Sequence, residues 1–216
     1  MQTVLNPAYY NATYFDWQKD MGAFGGLADL FKFSSYVKST DRVIDFGSGG
    51  GFLLKNLRCR DKIGLEINAS ARAEASTHEI KSVANADYVP DDWADVIISN
   101  HALEHVTYPL HDLKKLYHKL KPNGKIIFVT ALERSTKYDP NDVSKHLYTW
   151  SEMNLGNLFT AAGFDVIEVQ EIKHRWPPKS QLIWRLAGKA GFDLASRIYA
   201  RLRPGLSQVR IVAEKR

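Results

Sequence analysis

A chain of 216 residues with 44% hydrophobic and 25% charged residues has the size and balance of one globular unit with a sizeable core, which excludes a disordered or fibrous protein. Its lone cysteine, Cys59, excludes an internal disulfide and has no Cys or His beside it at metal-ligand spacing. The net charge of +5 is unevenly held: Lys173 to Arg216 carry 11 Lys and Arg against 2 acids, a net of +9, so residues 1–172 carry −4.

The opening "MQTVLNPAYYNATYF" lacks the basic start and apolar centre of a secretory signal, and no apolar run approaches a membrane span. A cytoplasmic location is therefore expected, and the sequon Asn11-Ala12-Thr13 is read as chance. Residues 1–40 read as helical or irregular, with Gly22, Gly25 and Gly26 interrupting any long helix. From Arg42 onward strand-like and helix-like segments alternate. "RVIDF" leads into a helix from Phe52 to Leu57, then "KIGLEI", then "NASARAEASTH" with Asn68 placed as its cap. "IKSV" and "ADVIISN" follow as strands. Leu110, Leu113, Leu116, Tyr117 and Leu120 keep helical spacing until "KPNG" stops them, and "KIIFVT" resumes as a strand. Thr149 and Glu152 of "TWSE" have capping-box spacing for a helix that ends at Gly163. "FDVIEV", a basic helical stretch over 179–203 and a last strand "QVRIVAE" complete the chain. The alternation predicts an α/β fold with a mainly parallel sheet covered on both faces.

In such a sheet ligands gather where the strand order reverses, at the carboxyl ends of the strands, so the first strand-to-helix turn is the place to look. That turn, in "VIDFGSGGGFLL", holds four glycines in five positions. The dinucleotide fingerprint G-x-G-x-x-G fails, because counting from Gly47 and Gly49 its third glycine would fall on Phe52. The pattern is instead Asp45, Gly47, Gly49, Gly51. A pyrophosphate on the helix N-terminus would be repelled by Asp45, whereas a ligand carrying an ammonium and a sulfonium would be drawn to it. Glu66 lies 19 residues after Gly47 and is placed to take both ribose hydroxyls, as an acid about 20 residues downstream does in dinucleotide folds.

The ordered set "VIDFGSGGG", "GLEIN", "NADYVPDDWADVIISNHALEHV", "LKPNGKIIFVT" and "HLYTWSEMNLGNLFTAAGF" resembles the class I S-adenosylmethionine-dependent methyltransferases over roughly Arg42 to Val169. The resemblance implies a Rossmann-like doubly wound seven-stranded sheet, mainly parallel, with an antiparallel last strand and a helical insertion before it. It implies one domain over 1–216: an N-terminal lid or helical segment (1–40), a cofactor-binding core (41–172), and the basic insertion with the last strand (173–216). S-adenosylmethionine is the implied cofactor. Asp45, Gly47, Ser48, Gly49 and Gly51 would hold its methionyl part, Glu66 its ribose, Ile67 the ring face, and Asn85 with Ala86 the adenine. Asn85 departs from the family's usual aspartate. Asn100 would end the fourth strand under the sulfonium.

"HALEH", His101 to His105, also spells the H-x-x-E-H of some zinc proteases, a reading its place directly after a strand speaks against. A structural ion on Glu104, His105 and His146 is a lesser reading; no metal is expected, and His105 is read as packing under the fourth helix. Transfer to a hydroxyl needs a general base, for which histidine is suited. His146 is expected in that role, with His101 lining the cofactor. Tyr14, Trp17 and Gln18 in the aromatic N-terminal segment, together with Tyr148, are expected to shape the acceptor pocket. Over 179–203, Ile183, Ala187, Ala190, Leu194, Ile198 and Leu202 share one face and Arg185, Lys189, Arg197 and Arg201 another, with Gly188 and Gly191 placed to split the helix. The expected reaction is O-methylation of a small molecule or of a cell-surface glycan or sugar intermediate. Nucleic acid is not the expected partner; the basic stretch over 179–203 is a candidate contact for a membrane or anionic surface, and a homodimer is a further option. An RNA-directed methyltransferase and a catalytically silent cofactor-binding partner are the alternatives.

Overall fold

A computed structural model describes residues 11–134, 137–203 and 205–216; Tyr9 and Tyr10 of the expected lid lie outside them. A seven-stranded sheet has the order β3-β2-β1-β4-β5-β7-β6. Its strands are β1 (Arg42–Phe46), β2 (Asp61–Leu65), β3 (Lys81–Val83), β4 (Ala94–Asn100), β5 (Leu120–Glu133), β6 (Asp165–Ile172) and β7 (Leu206–Glu214). β7 runs antiparallel to both β5 and β6, and the other pairings are parallel. This is the Rossmann-like arrangement the motifs implied.

The helices are α1 (Ala12–Ala28), α2 (Phe52–Asn56), α3 (Ala69–Thr77), α4 (Pro109–Lys119), α5 (Glu152–Ala161) and α6 (Ser180–Leu202). Alternation along each strand divides its apolar residues between two cores. Ile44, Ile97, Ile126 and Phe128 pack with Leu113 and Leu116 of α4 and Leu155 and Phe159 of α5. Val43, Val96, Ile98 and Ile127 pack on the other face with Leu54 of α2 and Ala75 of α3. Burying each such side chain contributes about 1.5–3 kcal/mol, so both faces hold the sheet. The order reverses between β1 and β4, with Asp45 paired to Ile98, and a crevice forms beyond their carboxyl ends.

Four local expectations change. The glycines of α1 do not interrupt it: a Cβ on Gly26 would lie 2.4 Å from the carbonyl oxygen of Phe52, so glycine is what lets α1 lie against the start of α2. The capping box of α5 is Ser151 with Asn154, because Thr149 Oγ1 instead accepts the N–H of Glu133 at 2.7 Å. "KPNG" becomes a bulge inside β5, where the pairing jumps from Ala94↔Leu120 to Val96↔Lys125. α6 breaks at Gly188 alone, the only non-helical residue inside it, with φ 63 and ψ −169. No helix among the described residues is long and apolar enough to cross a membrane.

Candidate active site

β1 ends in a turn that only glycine accommodates. Gly47, Gly49 and Gly51 have φ of +76, +51 and +74, a region that side chains other than glycine's rarely adopt. The N–H groups of Gly47 and Ser48 both donate to Leu65 O, at 2.9 and 3.1 Å, tying the turn to β2. A Cβ on Gly47 would sit 2.3 Å from Ala102 Cβ, whereas one on Gly49 would meet nothing within 4 Å. The turn is thus pressed against the loop after β4 on one side and open at Gly49. Gly51 closes on Ala75 and Ile80 and is a packing residue.

Two acids stand at this turn. Asp45 is 3% exposed and its carboxylate has no hydrogen-bond or ion-pair partner among the described residues. Burial, and then the nearby Glu66 charge, push its pKa well above the usual carboxylate range. Glu66 accepts the N–H of Gly49 at 2.9 Å and of Asn68 at 2.7 Å. Burial raises its pKa, against those two hydrogen bonds and Arg72. A buried acid without a counter-charge favours a cationic ligand, which would restore its ionised form.

The remaining expected cofactor residues divide. Ile67 follows Glu66 with 42% of its surface exposed, free to meet a ring. Asn85 is exposed, but its side-chain oxygen accepts the N–H of Asp87 at 2.9 Å, leaving its amide hydrogens. Ala86 packs in the core, so its side chain is not at a ligand surface. Ser48 is also turned away, its hydroxyl over Gly64 of β2. Asn100 is committed at both ends, accepting from Lys32 Nζ at 3.2 Å and donating to Asp29 Oδ2 at 3.1 Å. Asp29 and Lys32 form a buried ion pair at 3.0 Å, which the sequence reading missed; a lysine inside the apolar "LFKF", three residues after an acid, was the available signal. α1 borders the site: the amide of Asn68 donates to Asn11 O at 3.0 Å, and Lys19 meets Glu74 at 2.7 Å. On α1, Tyr14 and Trp17 lie 5.6 Å apart between ring centroids, Trp17 is half exposed and Gln18 is partly buried.

Beyond β4 the "HALEH" segment turns sharply at His101, with φ +56, into a short 3-10 turn over Leu103–His105. His101 Nδ1 lies 3.0 Å from Glu104 Oε1 and its Nε2 3.3 Å from Gln208 Oε1. Glu104 is wholly buried. Burial alone would raise its pKa, but the hydrogen bond and charge of His101, with His105, bring it below the usual range. His146 Nδ1 lies 3.0 Å from Glu133 Oε1, and its ring stands edge-on to that of His105 at 4.8 Å. Burial pushes His105 down to about 4, opposed in part by the Glu104 charge. Among the described residues His105 groups with Glu104 and His146 and not with His101, so the two histidines of the motif do not form the shared site a zinc protease requires. Tyr148 stacks on Trp150, donates its hydroxyl to Thr107 O at 3.1 Å, and borders an open groove of about 420 Å³ at the start of α4.

Similarity to known proteins accords with this geometry. The chain is 28% identical over 110 residues to the ubiquinone biosynthesis O-methyltransferase of Pseudomonas savastanoi pv. phaseolicola, an alignment covering 45% of this chain and 47% of that protein. The chain therefore spans about half the length of the curated relatives it matches. In structure it is similar to a methyltransferase of Archaeoglobus fulgidus (TM-score 0.67, 20% identity, covering 94% of this chain and 99% of that one). It is also similar to one of Thermotoga maritima (TM-score 0.65, 18% identity, 94% of each chain). The model of a family described as a methyltransferase domain matches residues 21–169, a span that takes in the end of α1 and every strand from β1 to β5, and the chain belongs to the class I S-adenosylmethionine-dependent methyltransferases.

Proposed function

We propose that the protein methylates a hydroxyl group of a small molecule or sugar intermediate, with S-adenosylmethionine at the glycine turn and His101 as general base. The observation that carries this reading is the His101–Glu104 pair beside that turn. Ala102, the residue directly after His101, is the one a Cβ on Gly47 would strike, so a base on His101 stands next to the cofactor side of the crevice. When bound, the cofactor supplies an electrophilic methyl group on a sulfonium. Asp45 offers the buried charge for its ammonium, Gly49 the open backbone, and Glu66 the acceptor for its ribose hydroxyls. Glu104 Oε1 and Gln208 Oε1 both accept at the His101 ring; with Gln208 moved aside, Nδ1–H stays on Glu104 and Nε2 is left to take the acceptor proton. With the cofactor held there, the acceptor oxygen would take the methyl group and the departing electron pair would stay on sulfur, so what is left to the protein is to align the two and to receive the hydroxyl proton. This reverses the sequence-based order of the two histidines: His101 takes the base role, and His146, hydrogen-bonded to Glu133, lies farther along the loop. Similarity to an O-methyltransferase supports a hydroxyl acceptor, and Tyr148 beside its groove is a candidate acceptor contact.

A membrane-associated acceptor is supported by α6. On the part of α6 that follows its break at Gly188, Leu194, Ile198 and Leu202 are exposed at four-residue spacing, and Arg197 and Arg201 are exposed beside them. An apolar ridge edged with cations suits an anionic lipid surface, reached from the cytoplasm. Cosedimentation with phosphatidylglycerol vesicles but not phosphatidylcholine vesicles is the expected result; dimerisation through α6, or salt-dependent RNA retention without vesicle binding, would replace it.

Labelled S-adenosylmethionine incubated with the protein and with extracts separated into sugars, lipids, RNA and small molecules tests the reaction. Label is expected in a base-stable ether, and His101→Ala is expected to lose 10² to 10⁴-fold in rate with cofactor affinity retained. Label in RNA, or cofactor binding without turnover on any fraction, would refute the reading.

A further inference from the structure

One of the two oxygens of Glu104 has no role in the reaction described above. Glu104 Oε1 takes the backbone N–H of Ala131 at 3.1 Å and meets His101 Nδ1 at 3.0 Å. Oε2, on a side chain with no exposed surface, has no hydrogen-bond partner among the described residues. Leaving such an oxygen unpaired is costly, and two imidazoles, His105 and His146, lie near the same carboxylate. Ligand atoms of Glu104, His105 and His146 lie within 4.8 Å of one another.

We propose that Glu104, His105 and His146 bind a divalent transition-metal ion of the zinc and manganese class, whose open positions receive the acceptor oxygen. An ion with bonds near 2.1 Å holds its ligands roughly 3 to 4 Å apart, so a small inward movement of the side chains completes the site. The frame for that movement is already built. His146 is oriented by Glu133 through Nδ1, which leaves Nε2 for a metal, in the carboxylate–histidine–metal order that fixes ligand histidines. The loop carrying His146 is pinned to the turn carrying the other two ligands, since Leu147 N and Tyr148 N both donate to Glu104 O, at 2.9 and 3.2 Å. Two imidazoles and one carboxylate select borderline ions over calcium and magnesium, which take oxygen ligands. Three protein ligands leave positions open, as catalytic sites do and structural ones do not.

Metal binding stands apart from the reaction. Only the acceptor's place on the ion rests on the hydroxyl-methylation reading: coordination lowers the pKa of a bound hydroxyl and eases proton loss to His101. The ion undergoes no redox change and no other reactant is required.

The test uses the full, tag-free chain, stripped with chelator and titrated with Co²⁺ followed by visible absorption, then with Zn²⁺ and Mn²⁺ by calorimetry. One equivalent with a high-intensity cobalt spectrum is expected. His146→Ala should weaken binding more than 100-fold, and Glu133→Gln, which touches no metal, 10- to 100-fold. S-adenosylmethionine affinity of the same variants reports that they are folded. Absence of stoichiometric binding of all three ions, or binding unchanged in folded His146→Ala, overturns the site. Metal binding that follows the variants while chelation leaves methyl transfer intact keeps the site and overturns its role toward the acceptor. Loss of methyl transfer to every hydroxyl acceptor with metal binding intact counts against the proposed reaction, not the site.

Discussion

The buried ion pair below the crevice gives a quantitative test of how the site is supported. Lys32 and Asp29 side chains are 1% and 8% exposed, with Nζ 3.0 Å from Oδ2, and the Asn100 amide bridges both. At an effective dielectric of about 20, two unit charges 3 Å apart attract by about 5 kcal/mol, offset in the native protein by the desolvation of each. Lys32→Met removes the cation and leaves Asp29 buried with only Asn100 as donor, so a loss of about 3–5 kcal/mol is expected. Asp29→Asn combined with Lys32→Met removes both charges and keeps an amide for Asn100 to pair with, and should recover most of that loss. In the wild type burial would raise the Asp29 pKa, but the charges of Lys32 and His101 hold it below the usual range. In Lys32→Met burial prevails and raises it above its unfolded value, so that variant's stability is greatest below the unfolded pKa and falls as pH rises through the folded one. Urea unfolding at pH 7 and pH 4 measures both effects. A single variant within about 1 kcal/mol of wild type at pH 7, with no gain from the second change, would show that water reaches the pair and that it does not hold Asn100.

Glu66→Ala removes a ribose acceptor and also strands the N–H groups of Gly49 and Asn68; calorimetry should show roughly 10- to 150-fold weaker cofactor binding, and unchanged affinity in a folded variant would refute the assignment. Gly47→Ala meets both φ +76 and a 2.3 Å contact with Ala102, and should cost about 2–5 kcal/mol in urea, whereas Gly49→Ala meets no neighbour and should cost only about 1–2 kcal/mol from its own φ; equal costs would refute the close approach of turn and loop. His105, held down to about 4 by burial, takes up its proton in the unfolded chain first, so stability is full above about pH 6.5 and falls as pH drops toward 4, by about 2–3 kcal/mol. His105→Gln should flatten that slope, and an identical slope in both proteins would refute the buried neutral imidazole.

What the sequence disclosed and what it withheld separate by range. Strand, glycine turn and helix succeed one another within a few residues, so "VIDFGSGGGFLL" carried the crevice and Glu66 its far wall. Asn68 could likewise be read as a cap, because its side chain bonds the N–H groups of Ser70 and Ala71 and nothing distant decides the matter. Thr149 shows the limit: its spacing to Glu152 was correct for a capping box, but its hydroxyl meets the N–H of Glu133 across a 16-residue interval, and Ser151 takes the cap. Glycines of α1 misled for the same reason, since their propensity argues for interruption and only residues distant in sequence, Phe52 against Gly22 and Gly26 and Trp176 against Gly25, explain them. The groups proposed to act on the acceptor side are all of this second kind. His101 meets Gln208 across 107 positions, Lys32 meets Asn100 across 68, and the turn after β4 is joined to the loop of His146 through the carbonyl of Glu104. A cofactor common to a family can be cradled by one local turn, whereas an acceptor particular to one protein must be met by side chains that only the closed sheet brings together. It follows that substitutions in the turn should move cofactor affinity and leave acceptor choice alone. Substitutions at His101, Tyr148 or His146 should do the reverse, and competition between two labelled acceptors in the same reaction separates the two effects.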